Sequence, residues 1–129
     1  MSKITLVTGG TRSGKSRHAL KLAAKYARKA FIATAEASDD EMKDRIAKHR
    51  QERGEGFVTI EEPVDLAAAL GQIPPDCESA VIDCLTVWQG NLMHKYGEGV
   101  EPPEMAAFLQ ALSNPPCDLI IVTNEVGSG

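Results

Sequence analysis

The chain has 129 residues, which is enough for one domain with a hydrophobic core and too few for two. Apolar residues make up 43% and charged residues 25%, a balance that excludes a disordered chain, and no apolar run approaches the length of a membrane span. A net charge of −4 and a pI of about 5.3 argue against nucleic-acid and membrane-surface partners, so we expect neither.

Apolar runs alternate with helical patterns along the chain. The helical patterns extend over 16–28, 38–52, 63–70, 86–95 and 104–112, with Ser38 as the N-cap of the second and Pro63 opening the third. The apolar runs are continuous rather than alternating, which is typical of parallel strands buried on both faces, and they lie at 4–7, 30–33, 57–60, 80–83 and 118–123. The sequence therefore predicts a single α/β domain over 1–129, with a mostly parallel central sheet between two layers of helices.

Residues 9–16 read G-G-T-R-S-G-K-S and fit the phosphate-loop pattern G-x-x-x-x-G-K-[S/T] at every fixed position. A predicted strand precedes this segment and a predicted helix follows it. Such a turn directs several backbone N–H groups and the positive end of a helix dipole at one point, where a polyphosphate is the natural occupant. The motif thus predicts a nucleotide site without indicating the reaction.

Several residues around the motif have the chemistry of phosphoryl transfer. Lys15 would place a cation against the β- and γ-phosphates, and the Ser16 hydroxyl would help to hold Mg²⁺. Asp83 directly follows an apolar strand, so it is either the second metal ligand or a helix or turn cap. Asn124 and Glu125 follow the last strand and either contact water, metal or substrate or begin a turn.

His49 allows two interpretations. It lies among Lys48, Arg50 and Arg53, and a histidine on such a helix is most often an ordinary surface residue. A neutral imidazole is also a good nucleophile toward an α-phosphate, and the cations around it would stabilise the transition state. The residues by themselves leave both open. Trp88 and Met93 fit helical spacing and are expected in the core or an interface rather than stacked on a ligand.

The three cysteines, Cys77, Cys84 and Cys117, are widely spaced and form no C-x-x-C pair. This spacing does not resemble a disulfide framework or a zinc site. It predicts free thiols in a reducing cytoplasm.

Six sequence blocks, taken together, resemble the bifunctional adenosylcobinamide kinase/adenosylcobinamide-phosphate guanylyltransferases of cobalamin biosynthesis. The phosphate loop is common to many families, whereas the D-D-E-M, R-I-A-K-H-R and V-T-N-E-V-G blocks are more discriminating. The blocks occur in the family's order at 8–19, 31–35, 39–42, 45–50, 82–88 and 122–127.

The resemblance implies a RecA-like, three-layer P-loop NTPase fold and two reactions. A nucleoside triphosphate, GTP or ATP, phosphorylates the hydroxyl of the aminopropanol arm of adenosylcobinamide. GTP then guanylylates a histidine, and the GMP passes to adenosylcobinamide phosphate to give adenosylcobinamide-GDP. The implied catalytic residues are His49 and Lys15, the implied metal is Mg²⁺ on Ser16 and Asp83, and the implied assembly is a homotrimer.

The resemblance also implies a set of nucleotide contacts. They come from the phosphate loop, from the segment after the second strand, from the basic helix and from strand ends. The residues are Gly9, Gly10, Thr11, Arg12, Ser13, Gly14, Lys15, Ser16, Thr34, Ala35, Glu36, Arg50, Gln51, Glu52, Arg53, Glu61, Asp83 and Glu125.

The chain departs from the family pattern in two ways. Family members continue beyond the V-T-N-E-V-G block with a further helix and strand, so we expect this chain to be C-terminally short. Thr11 replaces a small alanine, which is tolerable because only the loop backbone need face phosphates. The alternatives are a P-loop kinase or NTPase without a covalent nucleotide intermediate, and a truncated, inactive nucleotide-binding module.

Overall fold

The computed structural model describes residues 3–9, 15–34 and 57–124, and for residues 9, 15–17 and 124 it describes the backbone alone. These residues form a five-stranded sheet in the order β1-β5-β4-β2-β3, and every pairing in it is parallel. The α/β prediction with a mostly parallel sheet is confirmed. The strands are β1 (Ile4–Gly9), β2 (Lys29–Ala33), β3 (Phe57–Glu61), β4 (Ser79–Asp83) and β5 (Asp118–Asn124).

Four helices cover the two faces of this part of the sheet: α1 (Lys15–Ala23), α2 (Leu66–Gly71), α3 (Leu85–Tyr96) and α4 (Pro103–Leu112). On one face, Ala19 and Ala23 of α1 share a buried cluster with Val81 and Val122 of the sheet. Helices α2, α3 and α4 bury their apolar side chains on the opposite face. The described residues therefore form the predicted layers, with helices on both sides of the sheet.

The larger core is built around two aromatic side chains. Trp88 of α3 and Phe108 of α4 are each only 1% exposed, and their rings meet edge to face with centroids 5.1 Å apart. The prediction of a core or interface position is confirmed for Trp88, which lies in the core, whereas Met93 is 50% exposed and lies outside the core.

Two predicted helices begin or end elsewhere in the structure. The pattern at 63–70 becomes a helix only at Leu66, because the Glu62 carboxylate accepts the N–H groups of Val64 and Asp65 and holds them in a turn. Asp65 then caps α2 by accepting the N–H of Ala68. The first helix ends at Ala23 instead of residue 28, and the chain turns there to enter β2.

The amino edge of the sheet is tied together by Asp118. Its carboxylate accepts the backbone N–H of Lys3 at 2.8 Å and the hydroxyl of Tyr26 at 2.7 Å. These bonds hold the pKa of Asp118 below its ordinary value, and the bond from Lys3 contributes most. The positive charges of Lys25 and Lys3 lower the pKa further. The same contact with Asp118 raises the pKa of Tyr26.

We expect the stabilisation by Asp118 to disappear in acid. A carboxyl with a depressed folded-state pKa contributes stability above its unfolded pKa, about 3.9, and loses it as pH falls through the folded pKa. Asp118→Asn should lower the free energy of unfolding by at most about 1 kcal/mol at neutral pH, because solvent screens the group. Urea denaturation of both proteins from pH 7 downward measures the difference. A difference that persists below both pKa values would contradict this account.

Candidate nucleotide site

Five strand ends lie along one edge of the sheet. Because all described pairings are parallel, the carboxyl ends of the strands lie together. The register places Gly9 opposite Asn124, Asp83 opposite Val122, and Ala33 between Asp83 and Glu61. In open α/β sheets, ligands bind outside these carboxyl ends. This edge is therefore the candidate site.

The phosphate-loop end of the site is defined by its two flanking elements. Strand β1 ends at Gly9, and α1 begins at Lys15. Tyr26, just beyond α1, bonds Asp118 at the amino edge, so α1 runs back along the sheet and its first turn lies at the carboxyl edge. The start of α1 thus lies where the phosphate-loop prediction requires it.

Asp83 lies two strands away from β1. Strand β5 separates β1 from β4, so the two strands are about 10 Å apart. Asp83 is level with Val7, two residues short of Gly9. Since side chains alternate along a strand and Val81 faces α1, Asp83 is directed to the face on which α1 lies. This placement puts the carboxylate and the first turn of α1 on the same side of the sheet.

The cap of α3 is Cys84 and not Asp83. The Cys84 sulfur accepts the N–H of Val87 at 3.4 Å, and the peptide bond between Asp83 and Cys84 is cis. Of the two cap alternatives for Asp83, the helix cap is therefore wrong, and the turn cap stays a prediction. The Asp83 carboxylate, partly exposed, belongs to the strand end.

Thr34 joins the ends of β2 and β4. Its side chain is fully buried, and its hydroxyl accepts the Cys84 N–H at 2.9 Å and donates to the Cys84 carbonyl at 2.8 Å. Its own N–H donates to the Asp83 carbonyl at 3.2 Å. The structure thus brings together Thr34 and Asp83, both of which are predicted site residues.

Glu61 lies toward the other end of the site. It ends β3, the edge strand farthest from β1, at a distance of about 19 Å across four strand spacings. A contact from Glu61 to a nucleotide therefore involves a part of the ligand remote from the phosphate loop. The remaining predicted contacts lie outside the described residues: Gly10, Thr11, Arg12, Ser13, Gly14, Ala35, Glu36, His49, Arg50, Gln51, Glu52, Arg53 and Glu125.

Helix α3 contributes polar contacts that the sequence did not predict. The hydroxyls of Thr86 and Thr123 lie 3.2 Å apart and join α3 to the end of β5. Asn91 donates to the carbonyls of Thr34 and Pro63, beyond the ends of β2 and β3. The available signal was a polar residue three positions after Trp88, close to the apolar stripe of the helix.

Over residues 3–9, 15–34 and 57–124, no group of three or more His, Cys, Asp or Glu side chains is arranged to hold a metal ion by itself. Cys77, Cys84 and Cys117 are all buried free thiols, as predicted. Burial raises the pKa of Cys117 to about 11, which keeps this thiol protonated. In the same ranges, no helix has both the length and the apolar character that a bilayer crossing requires.

Comparison with known proteins shows the family. The model of the family described as cobinamide kinase / cobinamide phosphate guanyltransferase matches residues 5–129. The chain is 42% identical over 125 residues to the bifunctional adenosylcobalamin biosynthesis protein CobP of Pseudomonas aeruginosa, with 96% of this chain and 72% of the relative covered. The proteins named CobU of Escherichia coli and Salmonella typhimurium are 37% and 33% identical, each with 96% of this chain and 76% of the relative covered.

These matches confirm the resemblance identified from the six sequence blocks, together with the P-loop NTPase fold and the expectation of a bifunctional kinase and nucleotidyltransferase. The chain belongs to the cobinamide kinase / cobinamide phosphate guanyltransferase family.

Proposed function

We propose that both reactions of this family use the carboxyl edge of the sheet and that GMP passes through His49. In the kinase reaction, the aminopropanol hydroxyl of adenosylcobinamide attacks the γ-phosphorus of GTP or ATP, and the nucleoside diphosphate leaves. In the transferase reaction, an imidazole nitrogen of His49 attacks the α-phosphorus of GTP. The bond to the bridging oxygen breaks, and pyrophosphate leaves. A phosphate oxygen of adenosylcobinamide phosphate then attacks the same phosphorus and releases the histidine.

This proposal rests on the convergence of the strand ends. Gly9, Thr34 and Asp83, which end or follow three different strands, lie along one edge of one sheet. The R-I-A-K-H-R block that contains His49 occurs in the stretch of chain that follows β2, and β2 ends at this edge. A nucleotide held there is within reach of groups from several segments.

The donor set at this edge suits Mg²⁺. This ion prefers oxygen ligands, keeps several waters and shares the phosphates of its nucleotide. In the proposed site Ser16 supplies a hydroxyl and Asp83 a carboxylate, and Asp83 is on the face where α1 begins. The bound ion would neutralise charge on the phosphates. Lys15 would add a cation against the β- and γ-phosphates.

The other nucleotide contacts are proposed from the resemblance, residue by residue. The phosphate loop would hold the triphosphate, and the basic segment 50–53 would stabilise the charge that develops at the α-phosphate. Thr34, Ala35, Glu36, Glu61 and Glu125 would complete the site. The position of Glu61 on the edge strand far from β1 supports a contact with the nucleoside end of GTP.

We further propose that the enzyme acts as a homotrimer in the cytoplasm. The trimer comes from the resemblance, and the mass in solution by light scattering tests it. Three buried thiols without disulfides suit a reducing compartment.

The test is to incubate the chain with Mg²⁺ and GTP labelled at the α-phosphate and to look for label on the protein. A phosphoramidate on histidine is acid-labile and base-stable, so the label should survive alkali and disappear in acid. A parallel reaction with ATP labelled at the γ-phosphate should label adenosylcobinamide. Phosphorylation without labelled protein would indicate a plain P-loop kinase, and GTP binding without either product an inactive module.

A further inference from the structure

Asn91 of α3 bridges two strand ends through a single amide group. Its Nδ2 donates to the carbonyl oxygen of Thr34 at 2.8 Å and to that of Pro63 at 2.9 Å. Both hydrogens of the amide are therefore used, and the group is partly buried. These two hydrogen bonds connect α3 to the chain just beyond the ends of both β2 and β3.

The Thr34 carbonyl is the exit point of β2. The side chain and the N–H of Thr34 are already bonded to Asp83 and Cys84 at the end of β4. The bond from Asn91 fixes the remaining polar group of this residue, the carbonyl whose peptide leads into Ala35. With all three groups held, the Thr34 backbone is fixed in place at the end of β2.

The Pro63 carbonyl lies just beyond the exit of β3. Glu61 ends this strand, and the Glu62 N–H donates to the Ala33 carbonyl at 2.9 Å, which extends the pairing with β2 by one residue. Asn91 then holds the next peptide through Pro63. The connection is held a second time by the indole N–H of Trp88, which donates to the Val64 carbonyl.

We propose that Asn91 is a positioning residue of the nucleotide site. By holding the two carbonyls at a fixed separation, it sets the position of Thr34, which follows β2, relative to Glu61 at the end of β3. This inference rests on the proposed function insofar as those residues contact GTP. In this role Asn91 would act through the Thr34 and Pro63 backbone and not by contact with the nucleotide.

The chemistry of the amide explains why asparagine is needed. A leucine has a similar branched shape but no donor, so both carbonyls would lose their partner and turn toward water or other donors. Trp88→Phe provides a matched control. It removes one hydrogen bond to the β3 connection from the same face of α3 and leaves the Thr34 carbonyl untouched.

The experiment compares nucleotide affinity in Asn91→Leu, Trp88→Phe and the unchanged chain. The probe is the α,β-methylene analogue of GTP, which cannot be cleaved at the bond that the transferase reaction breaks. Urea denaturation first defines conditions in which all proteins are folded, and calorimetric titration then gives Kd. We expect Kd to rise about tenfold in Asn91→Leu and by less than about twofold in Trp88→Phe, since small misplacement of contacts is costly in such sites.

Equal Kd values in the two variants would overturn the inference and leave Asn91 a structural residue only. If Asn91→Leu fails to fold, Asn91→Ala, which cannot overpack the site, is measured in the same way. The outcome for the proposed function is separate, because it depends on covalent labelling of the unchanged chain. An unchanged chain that binds the analogue but is never labelled contradicts the route through His49 and leaves the comparison of Kd values valid.

Discussion

Replacing His49 with alanine is expected to abolish the GMP-labelled form of the protein. Loss of a nucleophile removes the covalent step itself, so labelling by GTP carrying an α-phosphate label should fall by at least about a thousandfold. Binding of the α,β-methylene analogue of GTP should persist, because the phosphate loop and α1 are unchanged. Phosphorylation of adenosylcobinamide from ATP should also persist, since the γ-phosphoryl group moves directly to a hydroxyl in that reaction.

His94→Ala is the matched control for this variant. His94 is an exposed histidine in the last turn of α3, and its replacement should leave both reactions unchanged. Full labelling of His49→Ala would show that another residue receives GMP. Loss of analogue binding together with labelling would indicate that His49 holds the nucleotide and would contradict its assignment as the nucleophile.

The sequence predicted the strands of this fold well and the order of the strands not at all. The apolar runs at 4–7, 30–33, 57–60, 80–83 and 118–123 each lie within a strand of the structure. Continuous β-branched runs are recognisable because burial on both faces leaves no polar alternation. The insertion of β5 between β1 and β4 depends on how three layers pack, which no local pattern encodes.

Dependence on tertiary packing also explains why sequence reasoning missed the contacts of Asn91. Asp83 and the phosphate loop could be predicted as site residues because each has a local signal, a strand end or a glycine pattern. The Asn91 bridge joins Thr34 and Pro63, and Asn91 lies 57 positions from Thr34 in the chain. An asparagine within a helix is chemically unremarkable until the fold brings two carbonyls to it. Supporting contacts of this kind are set by tertiary structure, whereas primary site residues are often set by motif.

The position of Asp83 supports a quantitative prediction for the effect of replacing it. It stands at the end of a buried strand, on the face of the sheet where α1 begins, about 10 Å from the strand that leads into the phosphate loop. In the proposed site this carboxylate would help to hold the magnesium ion that neutralises the phosphates of a bound nucleotide. Cys84 caps α3, so the carboxylate is not needed to begin that helix.

Asp83→Asn should therefore slow both reactions while the chain stays folded. Removing the negative charge weakens the hold on Mg²⁺ at the point where phosphate charge must be neutralised, and we expect both rates to fall by about 10²–10³-fold. The Mg²⁺ concentration that gives half the maximal rate should rise, and excess Mg²⁺ should recover part of the lost activity. Rates of covalent labelling and of adenosylcobinamide phosphorylation, measured across a Mg²⁺ titration, give both quantities.

Asp118→Asn is the control that separates the loss of a metal ligand from the loss of a carboxylate elsewhere in the sheet. Asp118 begins β5, next to β4, but at the amino edge, so its replacement should alter stability slightly and leave the Mg²⁺ dependence of both reactions unchanged. Rates for Asp83→Asn within twofold of the unchanged chain, with the same Mg²⁺ dependence, would remove Asp83 from the metal site. A fall in the kinase rate alone would assign Asp83 to one reaction and contradict a shared magnesium site, because an ion used in both reactions cannot be weakened for only one.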